Sequence, residues 1–403
     1  MSAALSAEER RGVAIRWARE HLFHSVADGA VTVTTLTVGG VALYYVLTWV
    51  FVTAKWAVIH ANLRLLLVGR FPVGEEWRIW IPVLTVAALA GLTWGALRRP
   101  SRLAFGAVVL LGGGLLTLPG AQARLYVIAL VALFFGGLAL GRFAGASHPT
   151  VRRIVLRVLA LGWLGVWPLA ILLLVLFGGV EVQRWGGLYL NVIVTAAGAM
   201  GALPIGVLIA LGRRSEYRVI RVVCSTYVEI ARGLPLMVVL ILSWLAIQRF
   251  LPALWGINQV GLVPRILAAY ILFTAVYVGV GVTGGLNGLP KGQAEAAAAL
   301  GLTAYQSQRY VLLPQAMRRA LPSLVGELID LLMASTLVSV LGLTDVLAAA
   351  RATTEQPAFF GRQKEVLLFV GAVFWVTAFS LSRLGRVAER ALSPRESGGT
   401  VQR

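Results

Sequence analysis

The sequence predicts an all-α, polytopic membrane protein of about ten transmembrane helices, and three observations carry that expectation. Of its 403 residues, 58% are hydrophobic and 13% charged, where an ordinary soluble domain has about a quarter charged. The mean hydropathy is +0.82. The apolar excess collects in uncharged stretches such as 31–54, 158–180, 185–212 and 266–290, each around or above the ~20 residues with which a helix crosses a bilayer. These runs lack the alternating apolar and polar residues of a membrane β-barrel. Soluble enzymes, disordered chains and single-anchor proteins are excluded on the same grounds.

Uncharged windows place the spans near 31–54, 79–97, 103–121, 125–141, 156–178, 188–211, 222–248, 266–288, 321–343 and 366–384. Before the first span, residues 1–30 contain Glu8, Glu9, Glu20 and Asp28 and no apolar run of signal-peptide type, so they read as an amphipathic cytoplasmic segment. Between the first two spans, 55–78 contains the apolar run 63–68 and the turn Phe71-Pro72-Val73-Gly74, which suggests a helix lying at the interface. Arg98, Arg99 and Arg102 separate spans two and three, Arg142, Arg152, Arg153 and Arg157 spans four and five, and Arg213, Arg214, Arg218 and Arg221 spans six and seven. With the N-terminus inside, Lys and Arg favour the cytoplasmic side roughly two to one, so both termini are expected inside. The formal net charge of +19 is then mainly an orientation signal, and nucleic acid is not an expected partner.

Cys224 stands alone, and His21, His24, His60 and His148 fall in expected loops without a completing ligand set, so no metal site is expected. A phosphate-cradling loop needs G-x-x-x-x-G-K-[ST]. The lysines are Lys55, Lys291 and Lys364, none preceded by Gly. ATP-driven activity would therefore need a partner that binds the nucleotide, and this chain is expected to carry no cofactor and no enzyme active site.

The longest cytoplasmic loop, 289–321, has its own architecture. Pro290 and Gly292 end the preceding span, and 293–300 is an Ala-rich helix former with Glu295 near its N-terminus, where the helix dipole favours an acid. Gly301 is placed as a C-cap. A second helix over 304–313 precedes Pro314, and Arg318 and Arg319 return the chain to the membrane. The expected product is a helix–Gly–helix elbow against the inner face.

Four motifs in order make the chain similar to a known family. Glu295-Ala296-Ala297, Gly301 and Leu313-Pro314-Gln315-Ala316 resemble the EAA loop of ABC-importer permeases. The preceding Leu289-Pro290-Lys291-Gly292-Gln293 matches the polar amino-acid uptake branch, the histidine/glutamine permease-like family. Upstream, Tyr227, Glu229, Arg232-Gly233 and Pro235-Leu236 resemble that branch's Y-x-E-x-x-R-G-x-P-L signature. Downstream, Ser335-Thr336-Leu337, Gly342-Leu343 and Asp345 resemble its TSL…G…(D/E)L stretch. The extra spans before the core, with Arg70-Phe71-Pro72 and Arg184-Trp185-Gly186-Gly187-Leu188, resemble the longer second permease subunit of general L-amino-acid transporters.

The resemblance implies a type I ABC-importer permease core of five helices over 181–390, preceded by a five-span extension over 31–180 and followed by a cytoplasmic tail, 391–403. It implies a bacterial inner-membrane subunit that pairs with a second permease chain, two ATPase subunits and an external substrate-binding protein. Lys291, Gly292, Glu295, Ala296, Ala297, Gly301, Pro314 and Gln315 would then form the joint with the ATPases. Tyr277, Glu327, Asp330, Ser335 and Thr336 are candidates for the substrate pathway.

Charges within spans are costly and usually paired or functional. Glu229 and Arg232, at i and i+3, are expected to pair on one helix face. Span nine departs from the family: Met333 and Ala334 stand where a Lys and an acid or amide are usual, while Glu327 and Asp330 lie upstream. Span eight reads Val278-Gly279-Val280-Gly281-Val282-Thr283-Gly284-Gly285 and lacks the family's Glu and Arg. Either this subunit is a mostly structural half, or its site has become acidic and favours a cationic group. A self-contained secondary transporter would need ion-coupling acids in repeated pairs, and a non-transporting structural subunit is the third reading.

Overall fold

The computed structural model describes residues 17, 20–97, 121–176, 178–255 and 261–392. The expected span at 103–121 lies almost wholly outside these residues, as do 1–16 and the tail from 393. The chain forms two units, Met1–Ala57 and Val58–Arg403. Among the described residues, eight helices are long and apolar enough to cross a membrane, and a bent pair adds a ninth candidate.

In the first unit, α1 (Val26–Thr48) starts where the Ser25 hydroxyl accepts the Asp28 N–H, and it ends in a π turn, Trp49–Thr53. None of its residues is buried within the chain. Such an all-round apolar surface suits lipid, where exposed Leu and Val cost nothing.

The second unit begins with a short helix, α2 (Ala57–Val68), as the apolar run in 55–78 suggested. Its buried face, Val58, Ile59 and Leu66, joins the cluster formed by Val346, Ala349, Val366 and Phe374. Next come α3 (Trp77–Leu97), α4 (Ala121–Ala146) and α5 (Pro149–Val175), which pack together, with α5 also reaching α6 (Gly187–Arg213). The α3–α4 contact is a small-residue seam. A Cβ on Gly95 would strike the Leu138 carbonyl, and one on Gly141 the Leu92 carbonyl. Small residues let helix backbones approach closely in a bilayer, where dispersion replaces the hydrophobic drive. Gly141→Leu should therefore cut the yield of monodisperse detergent-extracted protein severely. Gly136→Leu, on the same helix with nothing within 4 Å of the added Cβ, should leave that yield near wild type.

The remaining helices are α7 (Arg218–Gly233), α8 (Leu236–Trp255), α9 (Leu262–Asn287), α10 (Gly292–Ala299), α11 (Ala304–Leu341), α12 (Val346–Thr354) and α13 (Gln363–Leu392). α9 is the hub, packed on α6, α8 and α11, while α13 packs on α11 and α12. The span expected at 222–248, kinked at Gly233-Pro235, is two helices: α7 and α8 meet at a bend of 108°. Gly233-Leu234-Pro235 breaks the helix, because Pro235 removes a donor and restricts the residue before it. α7 buries only Val228 and Ala231, and its arginines and Glu229 interrupt the apolar positions in an amphipathic pattern.

Candidate functional site

The elbow is built from strictly local chemistry. α9 ends at Gly288, whose N–H donates to the Gly284 carbonyl, and α10 starts after Pro290 with Glu295 in its first turn. At its far end Gly301 takes φ +77, the Gly301 N–H donates to Ala298 O at 2.9 Å, and the Leu302 N–H donates to Ala297 O at 3.2 Å. This pair of bonds is a Schellman closure, which needs a residue free to adopt the left-handed conformation. Thr303 then opens α11 with a capping box, its hydroxyl accepting the Gln306 N–H while Gln306 Oε1 accepts the Thr303 N–H.

The second elbow helix differs from the expectation of a helix ending before Pro314. After one turn the chain winds as a π segment, Ser307–Leu312, and continues without interruption through Leu313–Ala334. Pro314 sits just after the π segment, where its fixed φ suits the continuing helix. Gln315 Nε2 donates to Gln293 Oε1 at 3.1 Å and ties the two arms together.

Lys291, Gly292, Glu295, Ala296, Gly301 and Pro314 are exposed, Gln315 is half-buried, and Ala297 is buried. Around them stand large exposed side chains that sequence reasoning did not single out: Leu300 at 81%, Tyr305 at 65% and Tyr310 at 64%. The Arg309 guanidinium donates to the Tyr305 hydroxyl at 2.6 Å and lies 5.9 Å from the Tyr310 ring centroid. Exposed aromatic and aliphatic side chains beside Arg are the composition of a protein interface core.

The expected pathway residues do not form one group. Tyr277 is half-buried on α9 beside Phe273, with ring centroids 5.2 Å apart. Glu327 is half-buried and Asp330 exposed on α11, and the ion pairs among the described residues involve neither. Thr336 donates to the Met333 carbonyl at 2.9 Å. Ser335 is fully buried and bonded inside the protein, donating to Leu332 O at 2.6 Å, so it faces a packed interior. Glu229 and Arg232 are both exposed on α7, and no ion pair joins them among the described residues.

Two polar features escaped the sequence reading. Asn191, Ser335 and Asp345 meet with no exposed surface. Asn191 is the single amide in the apolar run of α6, a signal that could have been followed. Burial pushes the Asp345 carboxyl up, opposed by hydrogen bonds from the Ala348 N–H, Asn191 and the Leu347 N–H and by the charge of Arg351. Arg78, also buried, donates from Nη1 to the Leu173 and Leu176 carbonyls at 2.7 Å each and pairs with Glu75. It thereby satisfies carbonyls at the C-terminus of α5.

Residues 202–394 match the family described as "Binding-protein-dependent transport system inner membrane component". The inner membrane amino-acid ABC transporter permease protein YhdY of Escherichia coli is 29% identical, over 94% of this chain and 92% of its own. The glutamate/glutamine/aspartate/asparagine transport system permease protein BztC of Rhodobacter capsulatus is 31% identical, over 94% of each chain. A crystal structure of an amino acid ABC transporter with histidines aligns over 50% of this chain and 90% of that one, at 30% identity and a TM-score of 0.44.

Proposed function

From a chain that belongs to the family of amino-acid ABC transporter permeases, we propose that this subunit carries half of a translocation pathway for polar amino acids and is driven through its elbow. The protein is a multi-pass membrane permease subunit of an ABC transporter. Its relatives are transport permeases. The observation that carries the coupling role is the Schellman-closed elbow with Glu295, Leu300, Tyr305 and Tyr310 exposed together. Buried in a groove of an ATPase subunit, these side chains provide the apolar core and the one acid that fix a joint. α11 runs on from the elbow into the membrane, so displacement of the joint moves a helix that carries the pathway candidates.

In this reading two ATPases bind the elbow of this chain and that of a second permease subunit, and an external binding protein delivers the substrate. Both termini and the elbow lie on the cytoplasmic side, in keeping with the excess of Arg there. Residues 181–390 form the core and 31–180 the extension. Glutamate, glutamine, aspartate and asparagine, which name the Rhodobacter relative, are the substrates to try first. Affinity purification of the full chain from its native membrane should bring down an ATPase and a second permease chain in stable proportion. A chain that purifies alone and transports without ATP would overturn the proposal.

Glu327 and Asp330 decide whether this half holds substrate. We favour a mostly structural half, with the partner subunit supplying the polar contacts. Glu327→Gln combined with Asp330→Asn should leave the ratio of basic to neutral amino-acid uptake within about twofold. A tenfold shift, about 1.4 kcal/mol of selectivity, would assign the acids to a cation-selecting site instead.

A further inference from the structure

α11 is continuous from Ala304 at the elbow to Leu341, so one helix joins the elbow to the Asn191 cluster at its far end. Its last residues, Ser335–Leu341, wind as a 3-10 helix closed by Gly342 at φ +90. Such a stretch has poorer hydrogen-bond geometry than an α-helix and often marks a hinge. Two elements grip it there, and Asn191 ties in a third. The Tyr270 hydroxyl of α9 donates to Ala334 O at 2.6 Å. Asn191 of α6 donates from Nδ2 to Ser335 Oγ at 2.9 Å and approaches Asp345 Oδ2 at 3.4 Å, while its Oδ1 accepts the Val346 N–H of α12 at 3.1 Å. Asp345 in turn accepts the Ala348 N–H at 2.8 Å.

The backbone repeats this convergence. Gly186 and Gly187, at the start of α6, bridge in parallel to Thr344 and Asp345. Gly69, just after α2 in the extension, lies against Gly186 so closely that a Cβ on it would come within 2.5 Å of the Gly186 Cα. Phe71, two residues on, is buried in the same cluster as Trp185 and Leu343. The side chains of Asn191, Ser335 and Asp345 are fully buried, so each hydrogen bond is expensive to leave unmade.

Resting on the permease reading, we propose that Asn191 and Asp345 form a latch that makes the elbow-distal ends of α6, α11 and α12 move as one body with the Gly69 turn of the extension. The 3-10 segment flexes as the elbow moves, and the latch carries that motion to the extension. Asn191 is thus a positioning residue: it acts on the pathway through α11 and touches no substrate. A backbone-only contact would tolerate any small side chain at 191, whereas the latch demands one amide facing one carboxylate across 191 and 345, with an oxygen at 191 to accept the Val346 N–H.

The test exchanges the two groups. Asn191→Asp removes the donor and sets two carboxylates face to face, whereas Asn191→Asp with Asp345→Asn restores one amide and one carboxylate to the pair. Hydrogen exchange of the full chain in lipid nanodiscs reads the latch without any partner. Residues 342–348 should exchange about tenfold or more faster in Asn191→Asp, as expected for a lost buried hydrogen bond, and recover most of that loss in the exchanged pair, which lacks only the donor to Ser335 Oγ. Ser335→Ala, which removes the acceptor of the Asn191 amide and the donor to Leu332 O but leaves Asn191 and Asp345 in place, should give an intermediate rate. Unaltered exchange in both single variants, or an exchanged pair no better than Asn191→Asp, would overturn the latch.

Its role in transport is read as ATP hydrolysed per glutamine taken up by the reconstituted complex. Asn191→Asp should raise that ratio and the exchanged pair should lower it again, whereas a merely structural contact would change the amount of complex and leave the ratio alone. A wild-type complex that takes up no amino acid would count against the permease reading, and the exchange rates would still decide the latch.

Discussion

Gly301→Pro should leave the protein in the membrane at near-normal amount and abolish its coupling to ATP hydrolysis. Gly301 sits at φ +77 with nothing within 4 Å of an added Cβ, so the position is constrained by backbone conformation alone. Proline fixes φ near −65° and lacks the N–H that Gly301 donates to Ala298 O. The Schellman closure opens, the angle between the elbow arms is lost, and the membrane helices are untouched. Glu295→Lys tests the same joint without backbone strain. Glu295 is exposed in the first turn of α10, so the substitution costs only the few tenths to about 1 kcal/mol of a helix-dipole contact. It nevertheless places a like charge opposite whatever cation the partner presents. Uptake should fall at least about tenfold in both variants, equivalent to about 1.4 kcal/mol of the joint, with ATPase activity no longer responding to substrate. Uptake at the wild-type rate in either variant would remove the elbow from the mechanism.

Gly187→Val should be the most damaging single substitution for folding. Gly187 has φ +60, and an added Cβ would lie 2.6 Å from Leu67 C and 2.7 Å from the Leu66 and Val68 backbone atoms. Holding a β-branched residue in the left-handed region costs on the order of 1–3 kcal/mol. Forcing apart two backbones adds about 1–3 kcal/mol of overpacking. Together these are a large share of a typical stability of about 5–15 kcal/mol. The bridge to Asp345 and the Asn191 contacts one turn further along α6 would shift with it. Size-exclusion chromatography after detergent extraction should show aggregate or no protein. Gly165→Ala, in α5 with nothing within 4 Å, should elute as wild type does.

Most of the helices could be read from uncharged windows because a bilayer enforces length and apolarity along a contiguous stretch. The elbow was readable for a similar reason: the closing residue Gly301 is local in sequence, as is the Thr303 capping box that only the structure brought out. Gly233 and Pro235 mark a kink between α7 and α8 in the sequence, but its depth of 108° was not legible, because 222–228 is uncharged and a window count merges an amphipathic helix with the span that follows. The spacing of Arg218, Arg221, Glu229 and Arg232 held the missing information. Features joining distant parts of the chain were not readable at all. Gln356 donates to Asn62 across 294 residues of sequence, and Asn191 meets Asp345 across 154. Gly69, Gly186 and Gly187 look like ordinary loop glycines until their close approach is seen. Ser335 stands among the pathway candidates through the Ser335-Thr336-Leu337 resemblance, and its burial against Asn191 could not be read from that motif. α2 and Phe71, from the early part of the chain, pack against residues beyond 181, whereas Arg78 ties α3 to the end of α5.

The central claim is that this subunit works only as the driven half of an ATP-powered complex, through its elbow. The most direct measurement is uptake of labelled glutamine into vesicles that contain the complex purified with this chain, with ATP supplied to the ATPase side. The account predicts uptake that requires ATP, is lost with Gly301→Pro, and leaves the complex intact on purification. ATP-independent uptake by this chain alone, or undiminished uptake with Gly301→Pro, would contradict it.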